Sequence, residues 1–302
     1  MKYTIAIPVY NCAATVGRSI ESAIGQDYAG DFEVLVVDNA STDDTWSVIS
    51  SYAAADDRIK AVRNERNLGM FGNHNECLRQ ASGDYVTFCH SDDELLPHAL
   101  TVIDSVMKRR LYPRRYVMWG HGMLHDHWVQ FAKSGQGINT VIAGESALQT
   151  FTESGWGVTP SGTTYSRQAL LDAGGFPELN TRYQAQDWTV LIMCVFARFE
   201  FEMVDRLLVS RTYPSTALES VPHIEHLREN AAQTAWIMEH LQGHDRNLMR
   251  REIATRMHPT QYPYAKRYMT RGERWRRMVK AFAGHPTPQQ LYIILRAVFT
   301  RL

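Results

Sequence analysis

The chain has 302 residues, of which 44% are hydrophobic and 11% aromatic, a composition that excludes a disordered chain. Its length allows one large domain, or one domain with an appendage. The formal net charge of +0 hides an asymmetry, because 14 Lys and Arg stand against 6 Asp and Glu from Pro222 onward. The four cysteines show no CxxC spacing, so the sequence predicts neither a zinc site nor a disulfide framework.

Strand and helix patterns alternate through residues 1–112. Short apolar runs predict buried strands at Ile5–Val9, Phe32–Val37, Ile59–Val62 and Tyr85–Cys89, and helical spacing separates them. Asn11 is a candidate cap for the first helix. This alternation predicts an α/β fold with a doubly wound, mostly parallel sheet and flanking helices. Ligands of such sheets bind at the carboxyl ends of the strands.

The pattern is looser after residue 112. It predicts a strand at Tyr116–Trp119, a helix at Trp188–Ala197, and two short strands at Phe201–Val204 and Leu207–Arg211. Only helical patterns follow Pro222. We therefore predict a catalytic domain over residues 1–220, with a nucleotide-binding half at 1–112 and an acceptor half at 113–220, and a helical, basic C-terminal extension over residues 221–302.

The chain begins directly with a predicted strand, and no signal-peptide core is recognisable. The apolar run near the C-terminus is interrupted by Arg296 and is too short to span a bilayer. These features predict a cytoplasmic protein in a reducing compartment.

Two adjacent acids, Asp92 and Asp93, follow the fourth predicted strand. Mg²⁺ and Mn²⁺ prefer oxygen ligands, and Mg²⁺ is commonly held by one or two carboxylates together with substrate phosphates. The pair therefore indicates a site for a metal-bound diphosphate. Taken alone, it is equally typical of acids placed at a helix N-terminus.

Several motifs occur together in one order and spacing. They are Ile7-Pro-Val-Tyr-Asn11, Val36-Val-Asp-Asn-Ala-Ser-Thr-Asp-Asp-Thr45, Asn67-Leu-Gly69 with Asn75, Gly83-Asp-Tyr-Val-Thr-Phe88, Ser91-Asp-Asp-Glu-Leu-Leu-Pro97, Gly174-Gly-Phe-Pro-Glu178 and Gln186-Asp187-Trp188. In this register the chain resembles family 2 glycosyltransferases of the GT-A fold, over about residues 3–215. The resemblance implies an inverting enzyme that uses a nucleotide-activated sugar.

The resemblance also implies roles for individual residues on the nucleotide side. Pro8 and Tyr10 would line the nucleobase pocket, and Asp38 would contact the base or the ribose. Asp93 would bind the Mn²⁺ or Mg²⁺ ion, and Asp92 would contact the ribose or assist the metal. Four further residues are expected to bind the nucleotide sugar: Asn39, Asn67, Gly69 and Asn75.

On the acceptor side, Asp187 matches the general base of the inverting family. Its alternative role is that of a helix N-cap. Trp156 and Trp188 are the aromatic residues that we expect to contact the acceptor.

Three positions depart from the family pattern. Asn39 stands where many relatives have a second Asp, which puts the base preference in doubt. His90 stands at the first acid of the DxD motif, where it is a metal ligand, an acceptor contact or a packed residue. Tyr213 replaces a histidine of an Arg-x-His segment and is a poor metal ligand.

We therefore expect transfer of a sugar, most simply from a UDP-sugar, to a hydroxyl of a saccharide or lipid-linked saccharide acceptor in bacterial surface polysaccharide or lipopolysaccharide assembly. One alternative is a sugar nucleotidyltransferase, although the loop at Tyr10–Thr15 lacks the Gly-rich basic cluster typical of that class. Another is a degenerate, non-catalytic sugar- or nucleotide-binding module, for which Asn39 and His90 are the best support.

The basic tail has two interpretations. Seven basic residues between Lys266 and Lys280 surround apolar side chains, a pattern typical of a peripheral contact with the inner face of the plasma membrane. A solvated helix face or a contact in a homo-oligomer fits equally. No nucleic-acid recognition motif accompanies the charge, so nucleic acid is not an expected partner.

Overall fold

The computed structural model describes residues 1–124, 127–129, 141–153, 158, 160–178, 187–212, 233–256 and 272. Its strands are β1 (Tyr3–Val9), β2 (Phe32–Asp38), β3 (Ile59–Arg63), β4 (Tyr85–Phe88), β5 (Glu94–Leu95), β6 (Tyr116–Leu124), β7 (His127–Val129), β8 (Val141–Ala143), β9 (Thr164–Ser166) and β10 (Glu200–Arg211). Its helices are α1 (Val16–Ile24), α2 (Thr45–Ala55), α3 (Gly69–Gln80), α4 (Ala99–Arg109), α5 (Gly144–Glu153), α6 (Arg167–Asp172), α7 (Asp187–Phe196), α8 (residues 233–240) and α9 (Gly243–Arg256).

One sheet organises the described part of the chain, in the order β3-β2-β1-β4-β9-β6-β10-β5. The strands β3, β2, β1 and β4 are all parallel, as the alternation of strand and helix predicts for the first half. Their residues are apolar on both faces because helices cover both faces of the sheet. The predicted α/β class with flanking helices is confirmed.

The second half makes the sheet mixed rather than mostly parallel. Strand β9 is antiparallel to both β4 and β6, and β5 is antiparallel to β10. The two strands predicted at Phe201–Val204 and Leu207–Arg211 are one strand, β10, which runs parallel to β6. Its register shifts between Met203 and Leu207, and the exposed Asp205 and Arg206 lie in that irregularity. The polar pair therefore bends the strand without ending it.

Two apolar cores lie on opposite faces of the sheet. Ile5 and Ile7 of β1 point into the core that α1, α2 and α4 cover. Ala6 points into the other core, which contains residues of α3, α5, α6, α7, α8 and α9. The described part of the predicted C-terminal extension thus packs on the same core as the preceding helices. The boundary predicted near residue 220 lies outside the described residues.

The first helix begins later than Asn11. Helix α1 begins at Val16 with Thr15 before it, and Asn11 has a positive φ of 51°. The side chain of Asn11 accepts a hydrogen bond from the backbone N–H of Thr42 at 2.8 Å. Asn11 therefore joins the loops that follow β1 and β2 instead of capping the helix.

Among the described residues, every helix is too short or too polar to cross a lipid bilayer. The basic segment between Lys266 and Lys280 lies outside the described residues, apart from position 272. Its contact with a membrane surface or with another subunit stays a prediction.

Candidate functional site

The carboxyl ends of the parallel strands meet at one edge of the sheet. In the pairing register, Val9 lies opposite Asp38, and Asp38 lies opposite Arg63. Strand β4 ends at Phe88 on the other side of β1, and the segment containing Asp92 and Asp93 follows it directly. The fold thus places Asp38 and the acid pair at the same edge, as predicted from sequence.

Tyr10 lies exposed at this edge. Tyr10 is 44% exposed and is one of three large hydrophobic side chains exposed in the described part of the chain. Pro8, two residues before it, is half-buried at the end of β1. An accessible aromatic ring is a suitable stacking surface for a planar base.

The carboxylate of Asp38 is fully buried beneath its neighbours. One oxygen, Oδ1, accepts hydrogen bonds from the backbone N–H of Ser41, at 3.1 Å, and from the hydroxyl of Ser41. The other, Oδ2, lies 3.1 Å from Nε of Arg63, whose guanidinium also packs over the ring of Trp46. Arg63 therefore stands between Asp38 and solvent, so a base contact by this carboxylate requires the arginine to move.

Asn39 uses its whole amide to hold the loop after β3. Its Nδ2 donates to Oδ1 of Asn67 at 2.9 Å and to the carbonyl of Gly69 at 3.1 Å. Its Oδ1 accepts from the backbone N–H of Leu68 at 2.8 Å and from Nδ2 of Asn64 at 3.0 Å. Two of these bonds need a donor, which explains why an amide occupies this position. Contact of Asn39, Asn67 or Gly69 with a nucleotide stays a prediction.

Replacing Asn39 with Asp should destabilise the protein at neutral pH. The carboxylate would leave two acceptors without a donor, and a buried unsatisfied polar group costs about 1–3 kcal/mol. Urea unfolding measures the change, with the exposed Asn247→Asp on α9 as a control for the added charge. A loss no larger in Asn39→Asp than in Asn247→Asp would contradict this role for the amide.

Asp93 is only 4% exposed, and protein groups bind both of its carboxylate oxygens. Oδ2 accepts from the hydroxyl of Ser161 at 2.6 Å, and Oδ1 accepts from the backbone N–H of Thr212 at 3.1 Å. Nε of Arg211 lies 3.9 Å from Oδ2. Burial, assisted by the nearby Asp92, raises the pKa of Asp93 to about 6, although the hydrogen bond from Ser161 and the charge of Arg211 oppose the rise.

The acid pair suits a divalent cation. Arg211, with its Nε 3.9 Å from Oδ2, is the cation near Asp93, and the pKa of this carboxyl is still raised by burial beside a second acid, so a further positive charge would be stabilising there. Each oxygen also has a second acceptor position. Among the described residues, no three His, Cys, Asp or Glu side chains gather to form a closed metal site. Asp93, with the half-buried Asp92, would therefore supply part of the coordination shell, and phosphates and water would supply the rest.

His90 is paired with a second histidine behind the acid pair. Its Nε2 lies 3.2 Å from Nε2 of His74, whose Nδ1 lies 2.8 Å from the carbonyl of Met70. Burial, with the neighbouring His90, lowers the pKa of His74 to about 3, and burial, with the charge of Arg211, lowers that of His90 to about 4. Both rings are therefore neutral, and Nδ1–H of His74 faces a carbonyl, so Nε2–H of His90 is the donor between them. The Nε2 atom of His90 is thus engaged by a packed neighbour.

Asn75 lies on α3 and fastens the turn that contains the Gly-Gly-Phe motif. Its Nδ2 donates to the carbonyl of Phe176 and to Oε1 of Glu178, and its Oδ1 accepts from the N–H of Phe176 at 2.7 Å. Gly175 has a φ of +72°, and a Cβ there would lie 2.4 Å from Oδ1 of Asn75. The side chain of Asn75 therefore has a structural role in this turn, and its predicted contact with the nucleotide is not tested.

Asp187 is the first residue of α7, consistent with its predicted place at the start of a helix. The side chains of Asp187 and Trp188 lie outside the described part of the structure, and so does Trp156 as a whole. Their roles as general base and acceptor contacts stay predictions.

Residues 4–141 match the family described as glycosyl transferase family 2. This part of the chain is a family 2 glycosyltransferase domain. The match contains Tyr10, Asp38, Asp92 and Asp93, so the edge described above belongs to the family 2 domain.

Curated relatives support this assignment. MT1568 of Mycobacterium tuberculosis, an uncharacterized protein, is 33% identical over 184 residues, which are 57% of this chain and 56% of that protein. The GalNAc(5)-diNAcBac-PP-undecaprenol beta-1,3-glucosyltransferase of Campylobacter jejuni is 41% identical over 103 residues, 34% of this chain and 33% of the relative. The chain thus spans about half, or less, of the length of these relatives.

Solved structures share the fold at low identity. TarS 1-349 of S. aureus in complex with UDP-GlcNAc has a TM-score of 0.63 at 18% identity, covering 98% of this chain and 79% of the other. The mannosyltransferase PcManGT of Pyrobaculum calidifontis, in complex with GDP-Man and Mn²⁺, has a TM-score of 0.61 at 16% identity, covering 98% and 79%. These similarities confirm the GT-A fold predicted for the family 2 domain.

Sequence reasoning missed four residues around this site: Arg63, His74, Ser161 and Thr212. Arg63 ends β3, and pairing of the strands brings it to Asp38. No local motif marks Ser161. Thr212 is the middle residue of the Arg-x-His segment, but its contact is made by the backbone N–H, which no motif reveals. Both residues are brought to Asp93 by the strand order β4-β9-β6-β10, which could not be predicted from the sequence.

Proposed function

We propose that the protein is an inverting glycosyltransferase that moves a sugar from a nucleotide-diphosphate donor to an acceptor hydroxyl. The observation that supports this proposal best is the position of the buried Asp93, with Asp92, at the edge of the sheet where Tyr10 and Asp38 of the family 2 domain also lie. A divalent cation held there would neutralise the charge that builds on the leaving diphosphate. Asp187, at the start of α7, would take the proton of the acceptor hydroxyl.

The donor that we propose is a UDP-sugar. The UDP-GlcNAc complex of TarS, which shares the fold, supports this choice, whereas PcManGT binds GDP-Man. Asp38 offers little for a second base contact, because Ser41 occupies its Oδ1. Once Arg63 moves away from Oδ2, a base with a single ring N–H, such as uracil, fits that one oxygen better than guanine, which presents adjacent N–H donors.

The acceptor that we propose is a lipid-linked saccharide of bacterial surface polysaccharide or lipopolysaccharide assembly. Similarity to the C. jejuni enzyme, whose name specifies a PP-undecaprenol-linked saccharide, supports it. The basic tail would hold the protein at the inner membrane surface, where such acceptors are found.

A thermal-shift screen tests the donor and the metal together. UDP with Mn²⁺ at about 100 times its Kd should stabilise the protein by about 2.7 kcal/mol, a rise of several degrees in Tm. UDP with EDTA, and GDP with Mn²⁺, should give smaller shifts. Release of UDP from a UDP-sugar on addition of a polyprenyl-diphosphate saccharide would then establish transfer.

Three other outcomes would contradict the proposal. A larger shift with GDP would overturn the choice of base. No shift with any nucleotide would favour the non-catalytic module, which the packed His90 at the first acid position also suggests. Formation of a nucleotide sugar from a nucleoside triphosphate and a sugar phosphate would identify a nucleotidyltransferase.

A further inference from the structure

Ser161 is fully buried beside the segment that contains Asp92 and Asp93. Ser161 is 0% exposed, and its hydroxyl donates a hydrogen bond to Oδ2 of Asp93 at 2.6 Å. The same oxygen accepts a hydrogen bond from the backbone N–H of His90 at 2.9 Å. One serine thus contacts both ends of the segment from His90 to Asp93.

The backbone around Ser161 is fixed by the end of β4. The N–H of Gly162 donates to the carbonyl of Phe88 at 2.8 Å, and the N–H of Phe88 donates to the carbonyl of Thr163 at 3.0 Å. Because the hydroxyl of Ser161 already accepts from His90, its single hydrogen is directed at Asp93. The donor therefore has little freedom to turn elsewhere.

The carboxylate of Asp93 is held at both oxygens, by Ser161 at Oδ2 and by the backbone of Thr212 at Oδ1. Without the hydroxyl of Ser161, Oδ2 would lose its nearest partner. The cation of Arg211, 3.9 Å away, would then attract it. An oxygen turned toward Arg211 would be less available to a divalent cation.

We propose that Ser161 is a positioning residue that orients the carboxylate of Asp93 for a divalent cation. This inference rests on the metal-bound donor of the proposed function. Groups that hydrogen-bond to metal ligands typically change metal affinity by 10–100-fold when they are removed. Ser161 lies outside the family 2 match, which ends at residue 141, so the group that orients Asp93 comes from a different part of the chain.

The test compares Ser161→Ala with Thr164→Val. Thr164 is also fully buried, and its hydroxyl bonds the hydroxyl of Thr87 at 2.8 Å instead of a carboxylate. Mn²⁺ affinity in the presence of UDP is measured by electron paramagnetic resonance, and UDP affinity in EDTA by calorimetry. Ser161→Ala should lose about 10–100-fold in Mn²⁺ affinity with UDP binding in EDTA unchanged, whereas Thr164→Val should keep both. Ser161→Thr, which retains the hydroxyl, should recover most of the Mn²⁺ affinity.

Wild-type Mn²⁺ affinity in a folded Ser161→Ala variant would overturn the inference while leaving the proposed function intact. An equal loss in Thr164→Val would also overturn it, since any buried hydroxyl would then matter as much. If Ser161→Ala does not fold, Ser161→Cys replaces it, because a thiol is a weaker donor of similar shape and should also lose Mn²⁺ affinity. Absence of Mn²⁺ binding by the wild-type protein would refute the metal itself and the inference with it.

Discussion

Replacing Asp187 with Asn should slow sugar transfer by about 10²–10⁴-fold, the usual contribution of a general base. The amide has nearly the size of the carboxylate but cannot accept the proton of the attacking hydroxyl. Asp187 is the first residue of α7, where a negative charge favours the helix dipole by about 0.3–1 kcal/mol, so Asn should cost the helix little stability. The substitution therefore separates a catalytic role from a stabilising role at the helix terminus.

The measurements are transfer rate under saturating donor, UDP affinity and the free energy of unfolding. Asp57→Asn, at an exposed position before β3, is the matched control and should change none of them. Donor affinity should stay within about twofold of the wild type, because the base acts only on the acceptor. A folded Asp187→Asn variant with near-normal transfer would remove Asp187 from the mechanism.

Replacing Asp93 with Asn should abolish most metal-dependent UDP binding while changing the stability of the fold little at neutral pH. Burial raises the pKa of Asp93 from 3.8 in the unfolded chain to about 6 in the folded protein. The folded state therefore binds the proton more tightly, and ionisation of Asp93 destabilises the metal-free protein as the pH rises from about 4 through 6. The difference between these two pKa values corresponds to roughly 3 kcal/mol in the free energy of unfolding.

At pH 7.5 the relief of the buried charge in the metal-free Asp93→Asn variant, roughly 3 kcal/mol, should offset the cost of about 1–3 kcal/mol for turning an amide N–H₂ toward a donor. Near pH 4 that relief disappears, so the variant should become less stable than the wild type. The Mn²⁺-dependent affinity for UDP should fall at least about tenfold in the variant. In the wild type it should weaken below pH 6, where a proton competes with the ion. Urea unfolding and calorimetry across this pH range measure both effects, with Asp57→Asn again as the control. Unchanged Mn²⁺-dependent affinity in the variant would exclude Asp93 as a ligand.

The sequence predicts the first half of the fold well because its signals are local. Apolar runs mark β1, β2 and β4 as buried strands, and short connections make their parallel order nearly unavoidable. The antiparallel strand β9 was not predicted, because Thr164–Ser166 is only three residues long and two of the three are Thr or Ser. Likewise, the polar pair Asp205-Arg206 suggested a break where β10 continues through an irregularity.

The site divides in the same way. Asp38 and Asp93 could be proposed as site residues from the sequence, because an acid at or shortly after the end of a buried strand is a local pattern. The partners of Asp93 were not, since Ser161 and Thr212 are 68 and 119 residues away along the chain. The internal bonds of Asn39 and Asn75 were also hidden, because an amide in a family motif looks the same whether it faces a ligand or a loop.

The attachment of Asp93 to Ser161 and Thr212 has a practical consequence for protein engineering. Ser161 and Thr212 belong to the predicted acceptor half, residues 113–220, although Asp93 itself belongs to the predicted nucleotide-binding half. A chimaera that joins the first 112 residues to the acceptor half of another enzyme would inherit Asp93 without Ser161, and a foreign strand would have to place the backbone N–H that replaces that of Thr212. Exchange of acceptor specificity between relatives therefore has to transplant loops around these two contacts and leave the contacts themselves in place.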